Sequence, residues 1–93
     1  MYEIRTVAVV IGGRVQGVGF RDWTRREAEG RGLAGHVRNR ADGRVEAVFS
    51  GPPAIVAAMI EACGRGPPTA RVDALEVTER TERPTTGFHL LRT

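Results

Sequence analysis

The stretch Gly13-Arg14-Val15-Gln16-Gly17-Val18-Gly19-Phe20-Arg21 joins two patterns that predict different secondary structures. Before it, residues 7–11 form a nearly continuous apolar run rich in β-branched side chains, which predicts a central strand. From residue 20 to about 31, side chains recur at helical spacing, beginning with Phe20, Trp23 and Thr24, which predicts a helix. Gly30 and Gly32 predict where this helix ends. The stretch therefore predicts a glycine-containing loop between a buried strand and a helix.

The loop in this stretch is suited to hold a phosphate group. Glycine lets consecutive backbone N–H groups turn toward one anion, and the N-terminus of the following helix adds roughly half a positive charge. Arg21 then offers a planar fork of donors that can bind phosphate oxygens in pairs. A tight turn in which the glycines serve only geometry would give the same spacing, so the spacing alone leaves both interpretations open.

Two other phosphate-binding motifs do not fit the loop. A Walker A loop needs a lysine to reach the outer phosphates, and the chain contains no lysine. A dinucleotide-binding fingerprint needs a glycine three residues after Gly19, where this chain has Asp22, and no second βαβ half follows. The loop is therefore predicted to bind a small phosphate-bearing molecule rather than a dinucleotide.

Length and charge narrow the choice of partners. The 93 residues predict a single domain over residues 1–93 with one modest core, and we expect a monomer. All 14 basic residues are arginine, and with 11 acidic residues they give a net charge of +3, which suits the attraction of a small anion. The chain lacks the clustered basic stripe typical of nucleic-acid binders, so no nucleic-acid partner is expected.

The cysteine and histidine content excludes further kinds of site. Cys63 is the single cysteine, which fits a reducing compartment, and its apolar helical setting predicts an inert core residue. The two histidines lie far from it in sequence, so no metal site is expected. No apolar run approaches about 18 residues and the N-terminus lacks the pattern of a secretory signal, so we expect a cytoplasmic protein with no membrane partner.

The middle of the chain predicts a hairpin followed by a second helix. Residues 33–40 and 44–50 flank Asp42-Gly43, a dipeptide strongly preferred in two-residue hairpin turns. Pro52-Pro53 then opens a helix whose apolar stripe ends at Gly64. The stripe contains Ile55, Met59 and Cys63, with Val56 and Ile60 beside them.

The last part of the chain predicts two more strands. Residues 70–78 form a fourth strand whose imperfect alternation suggests an edge or a bulge. Its candidates for burial are Val72, Leu75 and Val77. Phe88 and Leu90 predict a short final strand that Leu91 can extend. The order βαββαβ plus this short C-terminal strand predicts a ferredoxin-like sandwich of the α/β (α+β) class, with an antiparallel sheet and two helices on one face.

Three segments together resemble the acylphosphatases. They are the opening stretch, the segment Gly35-His36-Val37-Arg38-Asn39 and the segment Asp42-Gly43-Arg44-Val45-Glu46. The resemblance covers almost the whole chain, including Gly66-Pro67 and Ala70-Arg71-Val72. It implies a ferredoxin-like enzyme that hydrolyses the carboxyl-phosphate bond of an acyl phosphate to a carboxylate and inorganic phosphate, with no metal or cofactor.

The resemblance also implies roles for individual residues. Arg21 corresponds to the family's substrate-binding arginine, and Asn39 corresponds to the asparagine that positions the attacking water. The backbone cradle around the phosphate corresponds to Gln16, Gly17, Val18, Gly19 and Phe20. These roles fit the chemistry, because phosphoryl transfer to water needs charge stabilisation and an in-line water more than a strong base.

His36 departs from the family pattern, since many members have tryptophan at this place. Side chains alternate along a strand, so residues three apart point to opposite faces and His36 should not share a face with Asn39. We therefore expect a structural role for His36. Three arginines near the site are predicted to lie on the solvated surface: Arg14, Arg38 and Arg40.

Two rival functions stay open at this level. A non-catalytic phosphate- or anion-binding regulatory domain would keep the cradle without turnover, although the presence of both Arg21 and Asn39 argues against it. A nucleic-acid-binding module of this fold would need exposed aromatic side chains on its sheet, and aromatic residues make up only 5% of the chain. Phe20 and Trp23 are predicted to be core residues and not exposed stacking surfaces. The domain of the family that this chain resembles also occurs fused to a hydrogenase-maturation protein, but no zinc-finger cysteines follow here, so we expect a free-standing enzyme.

Overall fold

A computed structural model of the protein describes residues 3–92. Within these residues the strands form a single five-stranded sheet in the order β4-β1-β3-β2-β5, accompanied by two helices. In chain order the elements are β1 (Arg5–Arg14), α1 (Phe20–Gly30), β2 (Ala34–Asn39), β3 (Val45–Gly51), α2 (Pro53–Arg65), β4 (Arg71–Arg80) and β5 (Phe88–Leu90). This is the expected βαββαβ order with its short C-terminal strand.

The sheet is mixed, which corrects the expectation of an antiparallel sheet. Strand β1 pairs antiparallel with β3 and β4, and β2 pairs antiparallel with β3. Strand β5, however, runs parallel to β2, with Gly35 opposite Phe88 and Val37 opposite Leu90. Strands β4 and β5 lie at opposite edges of the sheet, and residues 81–87 cross between them. After this short crossing the chain runs in the direction opposite to β4. Because β4 and β2 also run in opposite directions, β5 is parallel to β2.

Both helices pack on one face of the sheet, as expected, and the core lies between the two layers. Alternate residues of the two central strands face the helices and are fully buried: Val7, Val9 and Ile11 on β1, and Val45, Ala47 and Phe49 on β3. They form one cluster with Phe20 of α1 and with Val56, Met59 and Cys63 of α2. Burying a side chain of this size contributes about 1.5–3 kcal/mol, so the cluster fixes α1 over the strands that carry the site.

The helix ends follow the sequence signals closely. Helix α1 ends at Gly30, and the N–H groups of Arg31 and Gly32 bond to carbonyls of its last turn. Helix α2 begins at Pro53, a residue favoured in the first turn because its missing N–H needs no partner there. Phe20 is buried, and Trp23 packs edge-on against it at the border of the core with ring centroids 5.3 Å apart.

The hairpin is confirmed, but its turn is longer than predicted. The N–H of Arg40 donates to the carbonyl oxygen of Arg44 at 2.8 Å, which leaves three residues in the loop. A two-residue turn of the expected kind needs positive φ at both central residues, and of the pair Asp42-Gly43 only Gly43 has it, at 90°. The turn therefore ends in a left-handed glycine, the usual form of a three-residue hairpin loop. Residues 40–44 are called the hairpin turn below.

Strand β4 is an edge strand with an irregularity, as its pattern predicted. Its pairing with β1 shifts between Gly12 and Gly13, where β4 carries one extra residue. Leu75 is half-buried against the core, but Val77 is 39% exposed, so the prediction of its burial is wrong. Val77 lies opposite the buried Val9, but it sits on the edge strand, where the helix layer no longer covers it.

Candidate active site

The loop of residues 15–19, called the glycine loop below, connects the end of β1 to the start of α1. Gly17 and Gly19 have φ angles of 72° and 79°, a left-handed conformation that glycine adopts without steric cost. A Cβ atom at either position would meet no other atom within 4 Å, so the glycines are not required by packing. They serve the backbone conformation and leave open space in front of it.

The backbone donors of the glycine loop are free to bind a ligand. Among residues 3–92, no protein acceptor receives a hydrogen bond from the backbone N–H groups of residues 16–20. Gly19 is the N-cap of α1, and no side chain caps the helix there. The unsatisfied N–H groups and the helix dipole therefore both favour an anion at this end of α1.

Arg21 and Asn39 line the same cavity, although they come from different elements. The cavity has a volume of about 180 Å³ and is lined by Val15, Gly17, Gly19, Phe20, Arg21, Asp22, Asn39 and Leu90. Three of the five predicted cradle residues are thus at its wall. The other two do not line it; the side chain of Gln16 bonds to the hairpin turn and that of Val18 packs against the core.

The guanidinium group of Arg21 is held by the segment that follows β5. Its Nη1 donates to the carbonyl oxygen of Leu91 at 3.0 Å, while the N–H of Leu91 donates to the carbonyl oxygen of Val37 at 2.8 Å. Leu91 therefore connects Arg21 to β2, the strand that carries Asn39. No local sequence signal announces this contact, since Arg21 and Leu91 are 70 residues apart in the chain.

Asn39 is the last residue of β2 and lies on its helix-covered side. Val37, two residues earlier, is fully buried beneath the helices, and alternation gives Asn39 the same side. His36 points to the other face, where it lines a separate cavity with Val48 and Pro84. The prediction that His36 and Asn39 do not share a face is confirmed.

Charged groups stiffen the hairpin turn next to Asn39. Asp42 accepts hydrogen bonds from the side chain of Arg44 at 2.8 and 3.1 Å and from its backbone N–H at 3.0 Å. Arg40 approaches the same carboxylate at 3.0 Å. These contacts, first among them the side-chain bond from Arg44, lower the pKa of Asp42 from 3.8 to about 2. Arg40, one of the arginines predicted to lie on the surface, thus forms an ion pair within the hairpin turn.

Asp22 is a wall residue of the cavity that the sequence interpretation did not include. Its carboxylate is paired with Arg25 at 2.9 Å and with Arg26 at 3.4 Å, both on the same helix. Neutralisation by two guanidinium groups reduces the repulsion that a free carboxylate would exert on an anion in the cavity. Its position in the first turn of α1, directly after Arg21, was the available signal.

Cys63 is a buried residue that does not line the cavity. The predicted core position of Cys63 is confirmed, and burial raises the pKa of its thiol to about 12, which disfavours the reactive thiolate. Within residues 3–92, no group of three or more His, Cys, Asp or Glu side chains is arranged to hold a metal ion. In the same part of the chain, no helix has the length and apolar character needed to span a bilayer.

Comparison with known proteins decides the family. The sequence matches the Acylphosphatase family over residues 7–90, a range that contains the glycine loop, Arg21 and Asn39. A curated acylphosphatase of Rhodospirillum rubrum is 56% identical over 85 residues, which cover 91% of this chain and 93% of that protein. The chain belongs to the acylphosphatase family.

Solved acylphosphatase structures agree with this fold. One from Bacillus subtilis has 39% sequence identity and a TM-score of 0.89, and the match covers 96% of this chain and 99% of that chain. Another from Coxiella burnetii has 32% identity and a TM-score of 0.90, covering 95% of this chain and 93% of that chain. The expected family, the ferredoxin-like α+β fold and the enzyme class are therefore confirmed.

Proposed function

We propose that this protein hydrolyses the carboxyl-phosphate bond of small acyl phosphates, with the phosphate bound by the glycine loop and Arg21 and the attacking water held by Asn39. The observation that carries the proposal is that the glycine loop, Arg21 and Asn39 all line one cavity. The family match and the acylphosphatase relatives support the reaction itself.

The phosphate half of the proposal rests on donors that stay available. Within the part of the chain that the structure describes, the loop N–H groups of residues 16–20 have no acceptor, and they lie at the positive end of the α1 dipole. Arg21 uses one guanidinium N–H on Leu91, and because a guanidinium carries five donors, enough remain for paired bonds to phosphate oxygens. These groups would also stabilise the charge that the equatorial oxygens carry in the transition state.

The water half of the proposal rests on the amide of Asn39. Its carbonyl oxygen can accept a hydrogen bond from the water while its NH₂ group donates elsewhere, and it carries no charge that changes with pH. The water oxygen forms a bond to phosphorus, the bond from phosphorus to the acyl oxygen breaks, and the carboxylate leaves with that electron pair. The water's proton passes to a phosphate oxygen. A carboxylate is a good leaving group, so the step needs no general acid.

The test is phosphate release from acetyl phosphate in the presence of a metal chelator. We expect phosphate release above the spontaneous rate even with the chelator present, because neither proposed role involves a metal. A simple alkyl phosphate is the matched control and should stay intact, since its alkoxide leaving group needs a proton donor that the proposal does not include. Binding of inorganic phosphate without any turnover would instead favour a non-catalytic anion-binding role.

We further propose a cytoplasmic monomer that acts on a small-molecule substrate and needs no cofactor. The buried free thiol of Cys63 supports a reducing compartment. Sedimentation analysis of the purified protein would test the monomeric state, and a discrete dimer would contradict it.

A further inference from the structure

Two side chains tie the glycine loop to different parts of the fold. The Nε2 of Gln16 donates to the carbonyl oxygens of Arg40 at 2.8 Å and Arg44 at 2.9 Å, both in the hairpin turn. The Oγ1 of Thr69 donates to the carbonyl oxygen of Val18 at 2.7 Å. The first contact joins the loop to the hairpin turn, and the second joins it to the connection between α2 and β4.

The contact made by Gln16 holds the backbone next to Asn39 and next to its cross-strand partner. Arg40 directly follows Asn39, and Arg44 directly precedes Val45, which pairs with Asn39 across β2 and β3. The side-chain amide of Gln16 thus uses both of its N–H groups to fix the end of the β2–β3 ladder relative to the glycine loop.

The two carbonyl oxygens do not depend on Gln16 to be satisfied. Arg44 also accepts the N–H of Arg40 at 2.8 Å, and Arg40 accepts the N–H of Gly43 at 3.3 Å. Removing the amide of Gln16 would therefore leave no orphaned carbonyl in the hairpin turn, and the turn keeps its own hydrogen bonds. The contact therefore aligns the glycine loop with the hairpin turn and is not needed for either segment to fold.

We propose that the side chain of Gln16 is a positioning residue, which sets the place of Asn39 relative to a phosphate in the glycine loop. This inference rests on the proposed role of Asn39 in holding the water. Gln16 does not line the cavity, so its side chain acts through the hairpin turn. Misplacement of a reacting group by a fraction of an ångström to 1 Å is enough to slow a reaction strongly.

Thr69 supplies the matched control for this proposal. Like Gln16, it donates a side-chain hydrogen bond that anchors the loop, but its contact has no connection with Asn39. If anchoring of the loop were the whole function of both side chains, their removal would act in the same way. If Gln16 positions Asn39, only its removal should depend on the presence of Asn39.

The experiment is a double-mutant cycle with acetyl phosphate as substrate and inorganic phosphate as inhibitor. Gln16→Met, which keeps the length and removes the donors, is made in the natural sequence and together with Asn39→Ala, and Thr69→Val is made in the same two backgrounds. We expect Gln16→Met to lower kcat about 10-fold in the natural sequence, with the phosphate Ki almost unchanged. In the Asn39→Ala background it should lower kcat less than about 2-fold, whereas Thr69→Val should have the same factor in both.

The outcomes separate the two levels of the account. Equal factors for Gln16→Met in both backgrounds, while Asn39→Ala alone lowers kcat strongly but measurably, would overturn the inference and keep the role of Asn39. Full activity of Asn39→Ala would overturn both. Circular dichroism checks that each variant is folded, and Gln16→Leu, which also lacks the donors and adds no charge, replaces Gln16→Met in the cycle with the same expectation if the latter does not fold.

Discussion

The two halves of the cavity are built in different ways. On one side, the proposed binding groups are backbone N–H groups of the glycine loop and the guanidinium of Arg21 on the adjoining helical turn. On the other side, a single side chain, Asn39, stands at the end of a strand and depends on the hairpin turn and on Gln16 for its place. The backbone of the first half follows from local conformation, with long-range bonds to Leu91 and Thr69 added to it, whereas the position of the second half depends on contacts between distant segments. Binding and turnover should therefore be separable by mutation.

The largest expected effect comes from Arg21→Lys, which damages the binding half. An ammonium group keeps the charge but cannot make paired hydrogen bonds in the geometry of a guanidinium, and it cannot bond to Leu91 and the phosphate in the same way. We expect kcat to fall by about 10³-fold or more, the scale seen for arginines in phosphoryl transfer, and the Ki of inorganic phosphate to rise. Steady-state kinetics measure both. Retention of most of the activity would show that the paired contacts are not needed.

Asn39→Ala damages the turnover half and should leave the binding half almost intact. We expect kcat to fall by about 100-fold, as when a positioned polar group is removed from a preorganised site, with a much smaller change in the Ki of phosphate. His36→Ala on the opposite face of the same strand is the control and should keep both kcat and the pH profile. Equal losses of binding and turnover in Asn39→Ala would contradict the division between the halves.

Gly19→Ala tests the backbone of the binding half. The φ of 79° costs a residue with a Cβ about 1–2 kcal/mol, and no neighbouring atom obstructs the new methyl group. Gly32→Ala, after the end of α1, has φ 70° and equally open space, so it should lose similar stability in urea unfolding. Only Gly19→Ala should raise the Ki of phosphate. A similar rise for both variants would mean that the effect reflects stability alone.

The smallest effect concerns the hairpin turn beside Asn39. The pKa of Asp42 is lowered to about 2, so its ionised form stabilises the folded state above its ordinary pKa of 3.8, and that stability is lost as the pH falls toward 2. Asp42→Asn should therefore lower Tm slightly at pH 7, and the difference from the natural sequence should shrink between about pH 4 and pH 2. Thermal unfolding at several pH values measures this. A difference that stayed constant down to pH 2 would contradict the pairing.

The loop that forms the proposed binding half was predicted from the sequence because its determinants are local. The glycine spacing, the start of α1 and Arg21 lie within nine consecutive residues, and each has a direct backbone consequence. Strand alternation likewise separated His36 from Asn39 correctly. The role of Asn39, by contrast, came from the family resemblance, since a lone asparagine at a strand end is not distinctive.

Apart from the length of the hairpin turn, the features that the sequence did not predict depend on long-range geometry. The parallel direction of β5 follows from the crossing of residues 81–87, and apolar residues in a strand carry no sign of direction. The bond from Arg21 to Leu91 and the bond from Thr69 to Val18 join residues far apart in the chain. The exposure of Val77 depends on where the helix layer ends, which alternation within one strand does not encode.

The division of the cavity is tested most directly by following the oxygen of water. If the glycine loop and Arg21 hold the phosphate while Asn39 presents the water, the new bond forms at phosphorus. Hydrolysis of acetyl phosphate in ¹⁸O-labelled water, analysed by mass spectrometry after a single turnover, should then place the solvent oxygen in the inorganic phosphate. Label in the acetate instead would mean attack at the carbonyl carbon, and the role given to Asn39 would be wrong.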